Sequence, residues 1–152
     1  MVDMCRMVKD YFYDPRTKGS NSIKAVLPAV LSRSKFIQDK YSKPIYGKTS
    51  LIKSLNFGDG WNWIQFDEDG NVISPYKLLP SVFEGLSEED KAELLTSESI
   101  ADGGAAMTAF AKMQFEEMSE IERMSIIAGL LKYCELDTLA MVMIYEFWLD
   151  EI

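Results

Sequence analysis

The chain has 152 residues, 47% of them hydrophobic, and carries a net charge of −8 with no histidine at all. That apolar content is enough for the core of one domain and argues against a disordered chain. The missing histidine removes the commonest general base and the commonest transition-metal ligand, so any bound metal is expected to be a hard ion such as Mg²⁺ or Mn²⁺ held by carboxylates.

No apolar run reaches the roughly 18 residues that a membrane span requires. Two well-separated cysteines, Cys5 and Cys134, and no basic-then-apolar leader point to free thiols and a cytoplasmic location. The charge is uneven. Residues 1–56 hold eleven Lys or Arg against four Asp or Glu, whereas residues 57–152 hold five against twenty. Such asymmetry fits either a nucleic-acid contact surface beside an acidic metal site or simply solvated surface.

In chain order, "MVDMCRMVKDYFYD" mixes β-branched and aromatic residues, and its first half reads as a short strand ending near Asp14-Pro15. "KGSNSIKAVLPAVLSRS" reads as a helix started by Ser20 or Asn21, with Pro28 kinking it or ending it early. A short helix is expected from Thr49 in "TSLIKSL", stopping before the glycines of "NFGDG". "WNWIQFDEDGNVIS" has two apolar segments around a turn rich in Asp, Gly and Asn, which predicts a β-hairpin. Ser87 opens a further helix in "SEEDKAELL", and "ADGGAAMTAFAKM" is expected to turn helical past its glycines.

A long helix follows, started by a capping box of Ser119 with Glu122. The pattern as a whole predicts an α+β, mostly helical chain forming a single domain over residues 1–152.

Within that last helix, "LLKYCELDTLAMVMIYEFW" places one acid among apolar residues. At 100° per residue, Leu130, Tyr133, Cys134, Ala140, Met141 and Ile144 share an arc, with Asp137 near its middle. An unpaired buried carboxylate costs several kcal/mol, so Asp137 calls for either a hydrogen-bonding partner or a bound cation. Tyr133 lies one turn earlier on the same face and is the candidate to orient a water there.

Asp67, Glu68 and Asp69 imitate an acidic metal pair, but hairpin-turn chemistry accounts for "DEDGN" without an ion. "SRSK" fits a Ser-x-x-Lys pattern without its companion motifs. Ser20, Ser22 and Lys24 stand at a helix N-terminus, where they serve either capping or a nucleic-acid phosphate. Trp61, Trp63, Phe66 and Tyr76 suit base stacking but equally core packing, and Met124, Met141 and Met143 read as gap-filling core residues.

Tyr133-Cys134-Glu135-Leu136-Asp137 resembles the Tyr-x-x-x-Asp third motif of DEDDy-type 3′ to 5′ exonucleases, which have a ribonuclease H-like fold. The wider text, "VKDYFYDP", "KGSNSIKAVLPAVL", "SPYKLLP", "ADGGAAM" and "LLKYCELDTLAM", is similar to the C-terminal part of an uncharacterised bacterial domain family related to those enzymes.

The resemblance implies the C-terminal portion of such a domain with a β-hairpin insertion, Asp137 as a ligand of Mg²⁺ or Mn²⁺, and Tyr133 as the water-orienting residue. It also implies that the first two acidic motifs precede Met1. The chain is then expected to be incompetent alone as a nuclease: a gene fragment, one half of a split enzyme completed by a missing N-terminal half in trans, or a remnant reused as a non-catalytic binding or structural element. Apolar helix faces left without their sheet would favour a homo-oligomer or a partner protein.

Overall fold

The computed structural model describes residues 3–79 and 104–151. Among these, the helices are α1 (Met4–Tyr11), α2 (Ile23–Arg33), α3 (Lys35–Tyr41), α4 (Gly104–Phe115) and α5 (Glu120–Asp150). Two strands of two residues each, β1 (Tyr46–Gly47) and β2 (Ile52–Lys53), pair in parallel with Tyr46 opposite Ile52. The composition is mixed and mostly helical, which agrees with the α+β reading. The chain divides into two compact units, one made of Met1–Leu78 with Glu135–Ile152 and the other of Leu79–Cys134, so that α5 contributes to both.

The N-terminal segment is helical rather than extended. Asp3 accepts a hydrogen bond from the Arg6 backbone N–H at 3.2 Å and caps α1. The apolar residues Met4, Met7, Val8, Tyr11 and Phe12 follow the i, i+3, i+4 rhythm of a helix face, and this outweighs the β-branched and aromatic content that suggested a strand. Ser22, not Ser20 or Asn21, is the N-cap of α2, and the helix runs through Pro28 to Arg33 instead of ending there.

Ser34 then closes α2 and opens α3, accepting from the Ile37 N–H at 3.2 Å. Its neighbour Ser32 donates its hydroxyl back to the Pro28 carbonyl, so both serines of "SRSK" serve the backbone.

The helix expected from Thr49 does not form. Thr49 is drawn instead to Asp59, whose carboxylate accepts from the Thr49 N–H at 2.6 Å, the Thr49 hydroxyl at 2.8 Å and the Ser50 hydroxyl. The hydrogen bond from the Thr49 backbone, followed by that from its hydroxyl, holds the Asp59 carboxyl below the usual carboxylate range. The chain between becomes β2, and Trp61 returns to bond the Tyr46 carbonyl at 3.0 Å. Four aromatic rings, Tyr46, Phe57, Trp61 and Trp63, stack edge to face beneath this loop, with Trp63 fully buried.

The expected hairpin is present in narrow form. Phe66 and Val72 make an antiparallel bridge, and Ile73 N–H bonds the Gln65 carbonyl. Asp67 ties the turn by accepting from the N–H groups of Asp69 and Asn71 at 3.1 and 2.8 Å. The acidic run is therefore turn chemistry, as the sequence suggested. The helix expected at Ser87 lies outside the described residues.

The capping box of α5 is present, with the Glu122 N–H donating to Ser119 Oγ at 3.3 Å and the Ser119 N–H to Glu122 Oε2 at 2.8 Å.

The core of the first unit is built from Val26, Leu27, Val30 and Leu31 of α2, Ile37 and Tyr41 of α3, and Leu136, Ala140, Met143 and Phe147 of α5. Each such side chain contributes on the order of 1.5–3 kcal/mol by leaving water.

This α5 stripe is not the arc that the sequence suggested. Cys134 and Met141 are exposed, and the buried face is centred on Leu136, Ala140, Met143 and Phe147, which leaves Asp137 at its edge, about 100° round from Leu136.

Gly47 gives a direct test of the β1 loop. Its φ of +148° lies where side chains are strained, and a Cβ there would meet Asp59 Cα at 2.5 Å and the Gly58 carbonyl at 2.6 Å. Gly47→Ala is expected to destabilise the fold by about 2 kcal/mol or more, read as a fall in the urea midpoint. An unchanged midpoint would show that the loop does not hold this conformation in solution.

Candidate functional site

The C-terminal half of α5 carries three acids at the two edges of its buried stripe, and each of the three accepts a hydrogen bond from a tyrosine. Glu135 accepts from the Tyr46 hydroxyl at 2.5 Å and from Asn56 Nδ2 at 2.5 Å. Glu146 accepts from the Tyr41 hydroxyl at 3.0 Å and from Lys40 Nζ at 2.6 Å. Asp137, on the opposite edge, accepts from the Tyr76 hydroxyl at 2.6 Å.

Local structure explains how the tyrosines arrive. Tyr41 ends α3, Tyr46 is fixed in β1, and Tyr76 sits in the 3₁₀ turn Pro75–Leu78. Hydrogen bonds to an ionised acceptor are worth about 1.5–3 kcal/mol each. These contacts hold the loop and helix segments of the first unit against α5.

The residues singled out from sequence fall as follows. Asp137 is half-buried and bonded to Tyr76. Lys24 Nζ lies 5.5 Å from the centre of the Tyr76 ring, so Lys24 and Asp137, read separately in the sequence, meet around one phenol. Ser22 Oγ accepts from the Lys24 N–H at 3.4 Å and Ser20 Oγ from the Ser22 N–H at 3.2 Å, so both hydroxyls serve the start of α2. Tyr133 is half-buried one turn before Asp137 and belongs to the second unit.

From the sequence Tyr76 reads only as a packing or stacking aromatic, and nothing local marks Tyr41, Tyr46, Glu135 and Glu146 as a set. The signal that would have found them is the periodicity: once the stripe is centred on Leu136 and Ala140, Glu135, Asp137 and Glu146 stand at its borders, where a carboxylate needs a donor from the packed neighbour.

The chemistry of the site is that of a clamp. Among the described residues, no group of three or more Asp, Glu or Cys side chains is placed to hold a metal ion. A single carboxylate with one oxygen engaged by a phenol does not supply the several oxygens that Mg²⁺ or Mn²⁺ requires, so the residues present do not fit the two-metal centre that the exonuclease resemblance implies.

Cys5 and Cys134 are both exposed and are not joined in a disulfide. No helix among the described residues is long and apolar enough to cross a membrane. An apolar cavity of about 340 Å³ opens between α1, α2 and α5, with Val8, Val26 and Ile144 in its lining. The chain matches no protein-family model, no curated protein and no solved structure.

Burial, reinforced by Glu146, pushes the Tyr41 hydroxyl well above the ordinary tyrosine value near 10, and burial with the hydrogen bond to Glu135 does the same for Tyr46. A raised folded-state value means that the proton stays on in the folded chain where the unfolded chain releases it. The stabilisation is therefore complete below about pH 10 and is lost as pH climbs beyond it.

Thermal midpoints measured from pH 7 to 11 should fall steeply only above about pH 10, and the fall should be shallower in a Tyr41→Phe/Tyr46→Phe variant. At neutral pH, Tyr46→Phe alone should cost about 1.5–3 kcal/mol in urea unfolding. Equal alkaline slopes in the two proteins would refute the clamp.

Proposed function

We propose that this chain is a non-catalytic assembly and binding module, in which the acids of α5 fasten the fold instead of holding catalytic metal. The observation that carries this reading is the 2.6 Å bond from the Tyr76 hydroxyl to Asp137, which supplies the partner that a carboxylate at the edge of an apolar stripe needs. Two further features support it. The carboxylates nearest in sequence on α5, Glu135 and Glu146, are engaged in the same way, and the serines at the start of α2 are spent on capping.

The kinship to DEDDy exonucleases then describes descent: a third motif whose acid has kept its place on the helix and changed its partner.

The second reading is a nuclease segment completed by carboxylates from another polypeptide. It is favoured by Lys24, whose ammonium beside the Tyr76 ring gives the neighbourhood of Asp137 the positive charge that a phosphodiester would require.

The purified chain, titrated with Mn²⁺ and Mg²⁺ in the presence of single-stranded DNA or RNA, is expected to show no metal-dependent degradation. The Asp137→Asn variant should behave identically in that assay and lose about 1–2 kcal/mol of stability, because an amide oxygen accepts the Tyr76 bond less strongly than a carboxylate. Degradation that depends on metal and disappears in Asp137→Asn would return the chain to the exonucleases.

A further inference from the structure

We infer that the segment around β2 is a docking surface for an anionic lipid bilayer, in which Leu51 and Leu55 enter the boundary between headgroups and acyl chains while Lys43, Lys48 and Lys53 meet the headgroup anions. This names the partner in the binding reading above and rests on it. All five residues belong to the first unit, and the contact is peripheral.

The backbone sets the two leucines on one edge. The Ile52 N–H donates to the Ile45 carbonyl at 2.8 Å and the Ser54 N–H to the Gly47 carbonyl at 3.0 Å, which holds this stretch against β1. Exposure then alternates residue by residue, as it does along a strand. Ile52 is half-buried and Ser54 buried, where its hydroxyl accepts from the Asn56 and Phe57 N–H groups, whereas Leu51, Lys53 and Leu55 face outwards. Leu51 is 82% exposed and Leu55 91%. Single exposed leucines need no account, but two on one edge with a lysine between them form a patch. It widens towards α3, because Leu51 shares a shallow hollow with Phe36, Ile45, Asp39, Lys40 and Lys43.

The edge is shaped before anything binds. Asp59 ties down Thr49 and Ser50, and Gly47 admits the close approach of Asp59, so little ordering is left to do on docking.

Charge selects an anionic partner. Residues 40–57 hold four lysines and no acid. Lys40 is engaged by Glu146, and Lys43, Lys48 and Lys53 are exposed. Of the acids that flank this stretch, Asp39 pairs with Lys35 at 3.1 Å and Asp59 is taken by Thr49 and Ser50. The chain's negative excess falls mostly on residues 79–134, with eleven Asp or Glu against four Lys or Arg, while the first unit holds thirteen against twelve.

Residue type and shape select a bilayer among anionic partners. A nucleic acid would use the lysines for its phosphates and leave the leucines in water. Protein interfaces favour aromatic residues, Met and Arg and are depleted in Lys, whereas residues 34–55 contain no arginine and the leucines project from the surface. A fluid bilayer accepts projecting aliphatic side chains without a matching shape, and lysines beside them reach the headgroups on long stems.

Co-sedimentation of the full chain with large vesicles tests this. Phosphatidylcholine vesicles with about 30% phosphatidylserine should bind it at least about tenfold more strongly than pure phosphatidylcholine, and raising NaCl from about 50 to about 500 mM should weaken the binding. The Leu51→Ser/Leu55→Ser and Lys43→Gln/Lys48→Gln/Lys53→Gln variants should each lower it at least about tenfold while leaving the helical circular dichroism unchanged. Tyr13→Ser, which removes a comparably exposed apolar side chain after α1, should leave it unaltered.

No binding to the anionic vesicles, equal binding to both lipid mixtures, or an equal loss in Tyr13→Ser would each overturn the inference. Binding that survives removal of both leucines would overturn it too, because only a charge contact open equally to single-stranded DNA would remain. The outcomes separate from those of the nuclease assay. A chain inactive on nucleic acid and indifferent to vesicles loses the lipid surface and keeps the non-catalytic reading, whereas a metal-dependent nuclease removes that reading whatever the vesicles show.

Discussion

Three tyrosine hydroxyls on three carboxylates of one helix set the frame for the first unit. The alternative for each partner is unfavourable: a phenol packed away from water without an acceptor and an acid at the edge of an apolar stripe without a donor each carry a desolvation cost of about 1–3 kcal/mol. Pairing them removes both costs at once. It also fixes where the segments ending in Tyr41, Tyr46 and Tyr76 must lie along α5. Apolar burial supplies most of the free energy of such a unit, but it is tolerant of sliding, and the directional bonds select one arrangement.

The clamps are not equivalent. Glu146 also receives Lys40 at 2.6 Å in a partly buried setting, and Glu135 receives Asn56, so each has a second donor. The Arg33–Glu151 pair at 2.7 Å is about half exposed on both sides and adds little by comparison. Asp137 accepts from Tyr76, and this bond leans on a ring that also lies under Lys24. That edge of the helix is where polar chemistry and the N-terminal third converge.

Much of this was legible in the residues alone. The capping box at Ser119 and Glu122, the Asp-Gly-Asn turn and the helical identity of the last thirty residues follow from local rules in which a side chain satisfies its own backbone. Other features depend on contacts distant in sequence. Thr49 looks like a helix start until Asp59, ten residues on, takes its N–H and hydroxyl. In the N-terminal segment residue type suggests a strand while the spacing of Met4, Met7, Val8 and Tyr11 favours a helix, and the spacing prevails. For α5 the difficulty was different: a helix with apolar residues on every side has no single preferred face, so the arc could be drawn through Tyr133 and Asp137 as readily as through Leu136 and Met143.

That same ambiguity has a physical origin that bears on what the helix is for. A helix buried on one side needs only one apolar stripe, and a polar outer face is the usual complement. Here the outer face keeps Leu131, Met141 and Tyr145, in a chain where about a quarter of all residues are charged. Glu135, Asp137 and Glu146 stand at the borders of the inner stripe, where Tyr46, Tyr76 and Tyr41 reach them. In this part of α5 each of the three carboxylates beside the apolar stripe is thus placed where an internal donor is present.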